Sequence, residues 1–374
     1  MLHFDVCQFT IINTVTPIPL HFDAIDTQHY RGFAHFAQTQ LTQSGQGDRL
    51  SLAQARSIGI TSEGQWQPLD AQQELDETCV HLIIDSPTIE LVQTLLSEIE
   101  RVYHIERFIV HPQSDWVQGQ VGIVLPFDKH VQADEESLAA IKSYFATFAQ
   151  QYNIETALIT RAPRLHQSGL LVMDMDSTII AVECIDEIAK LAGVGDAVAA
   201  VTERAMRGEL DFADSLRSRV ACLQGLDEKA LVQVRDALPP MPGLARLVSV
   251  LQSHGWKIAI ASGGFTFFAD HLMHRFQLDA AVANVLSMTQ GKLTGEVDGA
   301  IVDAQRKADT VNLLSKQWHI ELTQTIAMGD GANDLAMMKA AGLGVAFHAK
   351  PVVEQRADAA VRRGGLDRLL LLIA

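Results

Sequence analysis

Two aspartates follow an apolar run that has the composition of a buried strand. The stretch LLVMDMDSTII spans residues 170–180 and places Asp174 and Asp176 directly after four apolar residues. Burying an ionised carboxylate without a partner costs several kcal/mol. We therefore expect the two aspartates either at the exposed end of the strand or around a bound cation.

Three other short motifs offer groups that bind phosphate or metal. SGG at 262–264 supplies a hydroxyl and accessible backbone N–H groups, Lys307 supplies an ammonium, and GDGAND at 329–334 places Asp330 between two glycines after an apolar run. Each motif alone is weak evidence. A DxD motif is more often a solvated turn, and GDGAND alone also fits a calcium loop or a plain turn.

The four motifs together predict a site for phosphoryl transfer. Mg²⁺ takes carboxylate oxygens from one or two residues and fills its remaining positions with water and substrate phosphate. Asp174 and Asp330, with a backbone carbonyl from the DxD turn, would hold the ion. Ser262, the N–H groups that follow it and Lys307 would surround the phosphate oxygens.

The second half of the chain reads as an α/β domain. Helical patterns separate most of its apolar strand candidates, which indicates a buried, mostly parallel sheet. Ligands of such sheets bind beyond the carboxyl ends of the strands, where Asp174, Ser262 and Asp330 are found. The strand candidates are GLLVMD, WKIAIAS (256–262), AAVANV (280–285), TIAMGD (325–330) and GLGVAF (342–347).

A long insertion separates the first two of these strands. Ser262 follows Asp174 by 88 positions (262 − 174), the intervening segment has several helical patterns, and PPMPG at 239–243 marks the return to the sheet. A parallel crossover needs far fewer residues. A helical lid at about 184–243 is therefore predicted over the strand ends.

The N-terminal half is less uniform. Residues 78–160 alternate strand and helix patterns in the order βαββαβ, which is the ferredoxin-like arrangement. This order is similar to that of ACT-type domains, which often sense amino acids, although a dimerisation or packing module fits it equally well. Residues 1–77 give no clear structure, and 161–169 read as a linker.

Composition excludes several classes of partner. The 374 residues exceed one ordinary core, so two or three domains are expected. The net charge of −16 argues against nucleic acid or an anionic membrane as the principal partner, because both require a basic surface. No stretch approaches the roughly 20 apolar residues of a membrane span.

The cysteines and the N-terminus favour a cytoplasmic location. The start MLHFDVCQFTII lacks the basic region of a secretory signal. The four cysteines have no CxxC spacing, which excludes a recognisable zinc or thioredoxin-type motif and fits a reducing compartment. They are Cys7, Cys79, Cys184 and Cys222.

The motifs occur in the order typical of the haloacid dehalogenase-like phosphatases. DMDST, SGG, Lys307 and GDGAND resemble the four motifs of that superfamily. The segments ECIDEIAKLAG, TERAMRGELDF, SLRSRV and IVDAQRKA resemble, more closely, the bacterial phosphoserine phosphatases. The resemblance covers about residues 165–374. It implies a Rossmann-like α/β core with an inserted helical cap, preceded here by an α+β ferredoxin-like (ACT-type) domain.

The resemblance also implies roles for the motif residues. Asp174 would be the nucleophile that forms an aspartyl-phosphate, and Asp176 would protonate the leaving oxygen and later activate water. Mg²⁺ would be held by the Asp174 side chain, the Asp176 carbonyl and the Asp330 carboxylate. Ser262 and Lys307 would hold the phosphoryl oxygens.

Substrate recognition would lie partly in the cap. In the family pattern Glu183 takes the ammonium of phosphoserine and Arg219 its carboxylate, with further contacts from Gly263 and Asn333. Arg suits a bidentate carboxylate clamp better than Lys. By residue type alone, Glu183 and Arg219 would be an ordinary helix surface pair. Met206 and Phe212 are expected on the inner face of the lid, although helix packing explains them nearly as well.

Two alternatives to phosphoserine hydrolysis remain open at this point. One is a phosphatase of the same superfamily for another small phosphomonoester. The other is a scaffold that senses an amino acid through its ACT-like half. The ACT-like order also raises two expectations that no motif supports, serine binding at the N-terminal domain and a homodimer.

Overall fold

The computed structural model describes residues 57–60, 66–69, 78–103, 105, 107–114, 120–127 and 134–374. The remainder of the predicted segment 1–77 lies outside the described residues. The described residues form two sheets, one of six and one of seven strands.

The first sheet is antiparallel and carries two helices. Its strand order is β2-β1-β4-β5-β3-β6. From residue 78 onward the elements follow the order βαββαβ, and two strands from the preceding segment extend the sheet at one edge. The elements are β1 (Ser57–Ile60), β2 (Trp66–Leu69), β3 (Cys79–Asp85), α1 (Ile89–Glu100), β4 (Arg107–Val110), β5 (Gln120–Pro126), α2 (Glu135–Tyr152) and β6 (Glu155–Ile159).

Local capping explains where the two helices begin. The Thr88 hydroxyl accepts a hydrogen bond from the Leu91 N–H, and the Asp134 carboxylate accepts one from the Ser137 N–H, so each helix satisfies one of its free donors. Helix α2 ends at Asn153 in the left-handed conformation. The apolar faces of both helices pack on one face of the sheet, with Leu95 and Phe145 in the shared core.

The second sheet is the parallel sheet that the sequence predicts. Its order is β10-β9-β8-β7-β11-β12-β13, and only β10 runs antiparallel to its neighbour. The strands are β7 (Leu170–Met173), β8 (Lys257–Phe265), β9 (Ala280–Thr289), β10 (Lys292–Asp298), β11 (Thr325–Gly329), β12 (Leu343–Phe347) and β13 (Ala359–Val361). The two edge strands β10 and β13 were not predicted, because β10 is polar and half exposed and β13 has only three residues.

Helices cover this sheet and form the cap. The cap helices are α3 (Cys184–Ala192), α4 (Gly195–Met206), α5 (Phe212–Ala221) and α6 (Glu228–Asp236), all within the predicted lid. The remaining helices are α7 (Leu244–Ser253), α8 (Thr266–Phe276), α9 (Ala304–Gln317), α10 (Leu335–Ala340) and α11 (Pro351–Glu354). The β9–β10 hairpin supports the cap, because Gly225 and Glu228 donate backbone hydrogen bonds to Leu293 and Gly291.

The predicted linker 161–169 is partly buried, since Pro163, Leu165 and Gly169 are buried whereas Arg161 and residues 166–168 are exposed. The Leu165 N–H donates to the carbonyl of Ala374 at 2.6 Å, and the indole N–H of Trp256 donates to the carbonyl of Leu165 at 3.0 Å. Gly169 lies against the Trp256 ring so closely that a Cβ would overlap it. The polar residues and Pro163 of this segment are typical of a linker. They do not indicate these contacts, because the contacts are made largely by backbone atoms.

The C-terminal segment joins the two sheets. Residues of the 3₁₀ helix Leu366–Leu371 are buried, and His81 and His111 of the first sheet bond the carbonyls of Leu371 and Ile373 at 2.9 and 2.6 Å. Arg368 forms ion pairs with Asp85 and Glu155. The C-terminal segment thus packs against the second face of the N-terminal sheet at β3 and β6.

Among the residues that the structure describes, no helix combines the length and the apolar character that a membrane crossing requires.

Candidate active site

Three adjacent strands bring the predicted catalytic motifs to one edge of the parallel sheet. Strand β7 lies between β8 and β11, so Asp174, Ser262 and Asp330 meet at the carboxyl ends. A cavity of about 150 Å³ opens there. All predicted site residues except Lys307 line it, namely Asp174, Asp176, Glu183, Arg219, Ser262, Gly263, Asp330 and Asn333.

The turn after β7 is held by its own backbone. The carbonyl of Met175 accepts hydrogen bonds from the N–H groups of Thr178, Ile179 and Ile180, which closes a tight loop. The Met175 N–H donates to Asp174 Oδ1 at 2.7 Å. These bonds fix the direction of the Asp174 carboxylate relative to the strand that carries it.

Lys307 lies beneath the cavity and pairs with two carboxylates. Its Nζ is 2.9 Å from Asp174 Oδ2 and 2.7 Å from Asp334 Oδ1, and its side chain is 1% exposed. Burial opposes its charge, yet Asp174 and Asp334 raise the pKa of the ammonium above its ordinary value. Lys307 is therefore charged and fixes the position of the Asp174 carboxylate.

Three carboxylates form a candidate metal centre. Ligand oxygens of Asp174, Asp330 and Asp334 lie within 4.8 Å of one another. Burial, followed by the charges of Asp334 and Asp174, raises the pKa of Asp330 to about 7. Burial and Asp174 also raise the pKa of Asp334, against the effect of Lys307. The single charge of Lys307 does not neutralise the three carboxylates, so they repel one another. Their oxygen atoms form a donor set that fits a hard divalent cation.

Asp334 is the site residue that the sequence analysis missed. It is fully buried, and besides binding Lys307 it accepts a hydrogen bond from the Gly331 N–H at 2.9 Å. It stands at the end of the GDGAND motif, where only Asp330 and Asn333 were assigned roles. The sequence signal for Asp334 was its position, because it is an acidic residue four positions after Asp330. A short 3₁₀ turn joins the two residues.

Asp176 has the properties of a protonated acid. Its Oδ1 atom is sealed from solvent and has no hydrogen-bond partner among the described residues. Burial, together with the charges of Glu183 and Asp174, raises the pKa of its carboxyl to about 8. A carboxyl whose pKa is raised in this way can donate a proton near neutral pH.

The SGG motif forms a bulge at the end of β8. Ser262 is buried, and its Oγ accepts a hydrogen bond from the Gly264 N–H at 2.9 Å, which leaves the hydroxyl proton free to be donated. A Cβ at Gly264 would lie 2.6 Å from Met175, and one at Gly263 would lie 2.8 Å from the Phe212 ring. A side chain at either position would therefore displace Met175 or Phe212.

The cap contributes one charge of each sign. Glu183 precedes α3 and Arg219 lies in the last turn of α5, and both line the cavity. Arg219 Nε is buried and lacks a hydrogen-bond partner in the part of the chain that the structure describes. Burial lowers the pKa of this guanidinium, against the opposite effect of the acidic groups of Asp186, Glu183 and Asp176.

The two apolar cap residues differ in position. Phe212 lines the cavity as expected. Met206 is 75% exposed and is not a lining residue, so its expected place on the inner face of the lid is wrong for this arrangement of the cap. Met206 is the last residue of α4, and Glu203 and Arg204 in the same last turn are exposed as well.

Known proteins are similar to this chain in sequence and in fold. A family model for haloacid dehalogenase-like hydrolases matches residues 169–342. The phosphoserine phosphatase of Haemophilus influenzae is 55% identical over 232 residues, 62% of this chain and 74% of that protein.

Solved structures extend this match. The unliganded crystal structure of a probable phosphoserine phosphatase from Vibrio cholerae has a TM-score of 0.67 and 41% identity, covering 85% of this chain and 94% of that one. A substrate-bound phosphoserine phosphatase complex has a TM-score of 0.53 and 36% identity, covering 56% of this chain and 99% of that one. The chain therefore belongs to the phosphoserine phosphatase family of the haloacid dehalogenase-like hydrolases.

Proposed function

We propose that this protein is a Mg²⁺-dependent phosphatase that hydrolyses O-phospho-L-serine to L-serine and phosphate, the last step of serine synthesis. The observation that carries this proposal is the placement of Glu183 and Arg219 on the cap side of a cavity whose floor is Asp174, Asp176 and Ser262. A phosphomonoester that also carries an ammonium and a carboxylate satisfies all these groups at once.

The first step transfers the phosphoryl group to Asp174. A carboxylate oxygen of Asp174 attacks phosphorus while the bond to the serine oxygen breaks. The Asp176 carboxyl gives its proton to that leaving oxygen, which departs as the serine hydroxyl. Lys307 and the Ser262 hydroxyl stabilise the charge on the transferring oxygens, which is the usual use of fixed cations and donors in phosphoryl transfer.

The second step hydrolyses the aspartyl-phosphate. Asp176, now ionised, takes a proton from a water molecule as the oxygen of that water attacks phosphorus. The bond from phosphorus to Asp174 breaks, which restores the carboxylate and releases phosphate. The high pKa of Asp176 suits both roles, because the group can lose and regain a proton near neutral pH.

Mg²⁺ is the cation that this proposal assigns to the carboxylate centre. It would be held by Asp174, Asp330 and the Asp176 carbonyl. Asp334, which pairs with Lys307, adds negative charge to the same cluster. When bound, the ion supplies positive charge next to the phosphate oxygens and orients the phosphoryl group. Burial first, and then the charges of Asp334 and Asp174, raise the pKa of Asp330, and a bound cation would offset both effects.

Recognition of the serine part uses the two charged cap residues. Arg219 is proposed to bind the carboxylate, since its buried Nε has no other partner among the described residues. Glu183 is proposed to bind the ammonium. Gly263 and Asn333 line the same cavity and are proposed to complete the substrate contacts.

The N-terminal unit is proposed to be an ACT-type module in the cytoplasmic enzyme. Its antiparallel order β4-β5-β3-β6 and its βαββαβ sequence of elements support this assignment. Serine binding and homodimer formation are further parts of the proposal. Inhibition by serine that is noncompetitive towards phosphoserine would support a separate serine site, whereas purely competitive inhibition would remove it.

The test is phosphate release from phosphoserine, phosphothreonine, a sugar phosphate and p-nitrophenyl phosphate, with Mg²⁺ and with a chelator. A strong preference for phosphoserine that the chelator abolishes is the expected result. Broad Mg²⁺-dependent activity would keep the mechanism and overturn the substrate. An inactive chain would indicate a scaffold.

A further inference from the structure

Asn284 is a buried amide at an unusual place, the interior of a strand. It lies on β9 beside the SGG bulge and is 1% exposed. Asn is depleted in strands, and burying an amide costs free energy unless both its donor and its acceptor are used. What Asn284 bonds therefore indicates why it is there.

The pairing of β8 with β9 is interrupted at this position. Ala261 pairs with Val282 and Phe265 pairs with Asn284, so β8 advances four residues (265 − 261) while β9 advances two (284 − 282). Two extra residues therefore bulge out of the ladder between these pairs, in the segment Ser262–Gly264. Such bulges commonly redirect groups next to an active site.

The Asn284 side chain bonds this bulge where the strand ladder does not. Its Nδ2 donates to the carbonyl of Gly263 at 2.8 Å. The N–H of the same peptide unit, that of Gly264, donates to Ser262 Oγ. The Gly263–Gly264 peptide is thus held at both ends, and one of those ends is the proposed phosphate-binding hydroxyl.

The amide oxygen of Asn284 bonds the segment that leads to Lys307, the second residue proposed to hold the phosphate. Asn284 Oδ1 accepts a hydrogen bond from the Val302 N–H at 2.8 Å. Val302 directly precedes Asp303, which caps α9 and accepts a backbone hydrogen bond from Lys307. One side chain therefore connects the Ser262 bulge to the start of the helix that carries Lys307.

We propose that Asn284 is a positioning residue for phosphoryl transfer, which fixes the Ser262 hydroxyl and the Lys307 helix relative to each other. This inference rests on the proposed phosphatase function. Without the amide, the bulge keeps its glycines and its hydroxyl but loses the bond that sets the direction of the Gly263–Gly264 peptide. A displacement of about 1 Å at a reacting group can cost about 100-fold in rate.

The test compares Asn284→Ala with a matched control in the full-length chain with Mg²⁺. Ser315→Ala is the control, because Ser315 is also buried and its hydroxyl bonds a carbonyl, that of Ile320, at the far end of α9. For each variant we would measure kcat and KM for phosphoserine, the inhibition constant of inorganic phosphate and the Tm. Asn284→Ala is expected to lower kcat by about 10- to 100-fold and to weaken inhibition by phosphate. Ser315→Ala is expected to lower only the Tm.

A double-mutant comparison separates positioning from stability. Ser262→Ala should reduce kcat strongly in the wild-type background. In the Asn284→Ala background the factor by which it reduces kcat should be about ten-fold smaller, because the hydroxyl is already misplaced there. In the Ser315→Ala background its effect should keep the wild-type size. If Asn284→Ala does not fold, Asn284→Ser takes its place in the same comparison.

Two different failures can be told apart. A wild-type chain without activity on any phosphomonoester would overturn the proposed function itself. An active wild-type chain whose Asn284 variants have a lower Tm, an unchanged kcat and an unchanged Ser262→Ala effect would show that Asn284 only stabilises the fold.

Discussion

The hydroxyl of Ser177 donates a hydrogen bond of 2.8 Å to Oε1 of Glu183. Ser177 adopts a φ of 57°, in the left-handed region, which carries strain for a non-glycine residue. Glu183 occupies the N-cap position of α3, yet its side chain makes no capping bond. The DxDST turn therefore holds the Glu183 carboxylate at the cavity instead of allowing it to cap the helix.

Replacing Ser177 by Ala is expected to reduce the preference for phosphoserine. A hydrogen bond to a charged group contributes about 1.5–3 kcal/mol, so the ratio of kcat/KM between phosphoserine and p-nitrophenyl phosphate should fall by about ten-fold. The reason is that p-nitrophenyl phosphate has no ammonium for Glu183 to bind. Steady-state kinetics on both substrates measures this ratio.

Charge removal on the same helix provides the control for Glu183. Glu183→Gln should lose most of the phosphoserine preference, whereas Glu187→Gln, which removes an acid paired with Lys190, should retain it. Adding Ser177→Ala to Glu183→Gln should change the ratio little, because the bonded charge is already gone. An unchanged ratio in Ser177→Ala would refute the orienting role.

Lys307→Met is expected to abolish turnover and to destabilise the fold. Removing one partner of a buried ion pair costs about 3–5 kcal/mol, because the remaining charges stay buried and unpaired. Here those charges are Asp174 and Asp334. Urea unfolding measures the loss of stability, and Mg²⁺ should restore part of it by neutralising the same carboxylates.

Lys316→Met is the matched control, since Lys316 is exposed near the end of the same helix. Exposed substitutions usually change stability by less than about 0.5 kcal/mol. Equal stability losses for the two variants would show that the Lys307 pairs contribute nothing specific.

Asp330→Asn is expected to remove the stabilisation that Mg²⁺ gives to the wild-type chain. A cation that binds only the folded state raises the Tm with concentration, and Asp330 is one of the three clustered carboxylates. The measurement is a Mg²⁺ titration of the Tm without substrate. Asp309→Asn, an exposed change on α9, should leave the titration as in the wild type. A full Mg²⁺ response in Asp330→Asn would place the ion elsewhere.

Much of the site was accessible from the sequence because strand ends carry it. Asp174, Ser262 and Asp330 each follow an apolar run, and parallel strands place such residues at one edge. Asp334 and Asn284 were not found, because their roles depend on partners 27 and 21 residues away in the chain. Hydrophobic periodicity indicates which face of a helix or strand a residue occupies. It does not indicate which atoms the side chain contacts.

The N-terminal half shows a second limit of sequence reasoning. The helix and strand patterns after residue 78 matched the elements observed, since amphipathic spacing and caps are local signals. The contact between this sheet and the C-terminal segment was not predicted. Part of it consists of side chains that bond backbone carbonyls, as His81 does with Leu371, and residue types do not reveal which carbonyl a side chain will meet.

Acidification is expected to destabilise the chain through His81 and His111. Burial lowers the pKa of both imidazoles from 6.5 to about 4, and the charge of His111 adds to the effect on His81. Above pH 6.5 both are neutral in the folded and unfolded states, so stability is at its full value. Between about pH 6.5 and 4 the unfolded chain binds protons that the folded chain excludes, so stability falls by up to about 3 kcal/mol per histidine.

His81→Gln should therefore flatten the decline in unfolding free energy between pH 7 and pH 4.5, measured by urea at each pH. Gln keeps a donor for the Leu371 carbonyl and removes the titration. The pKa of Glu155 is raised by its own burial at the same interface, which gives a slope of the opposite sign, so only the difference between variant and wild type isolates the histidine. His254→Gln, an exposed change on the hydrolase half, should retain the wild-type slope. A slope that neither variant alters would mean that the acid sensitivity arises from carboxylates, and the histidine interface would then be neutral towards pH.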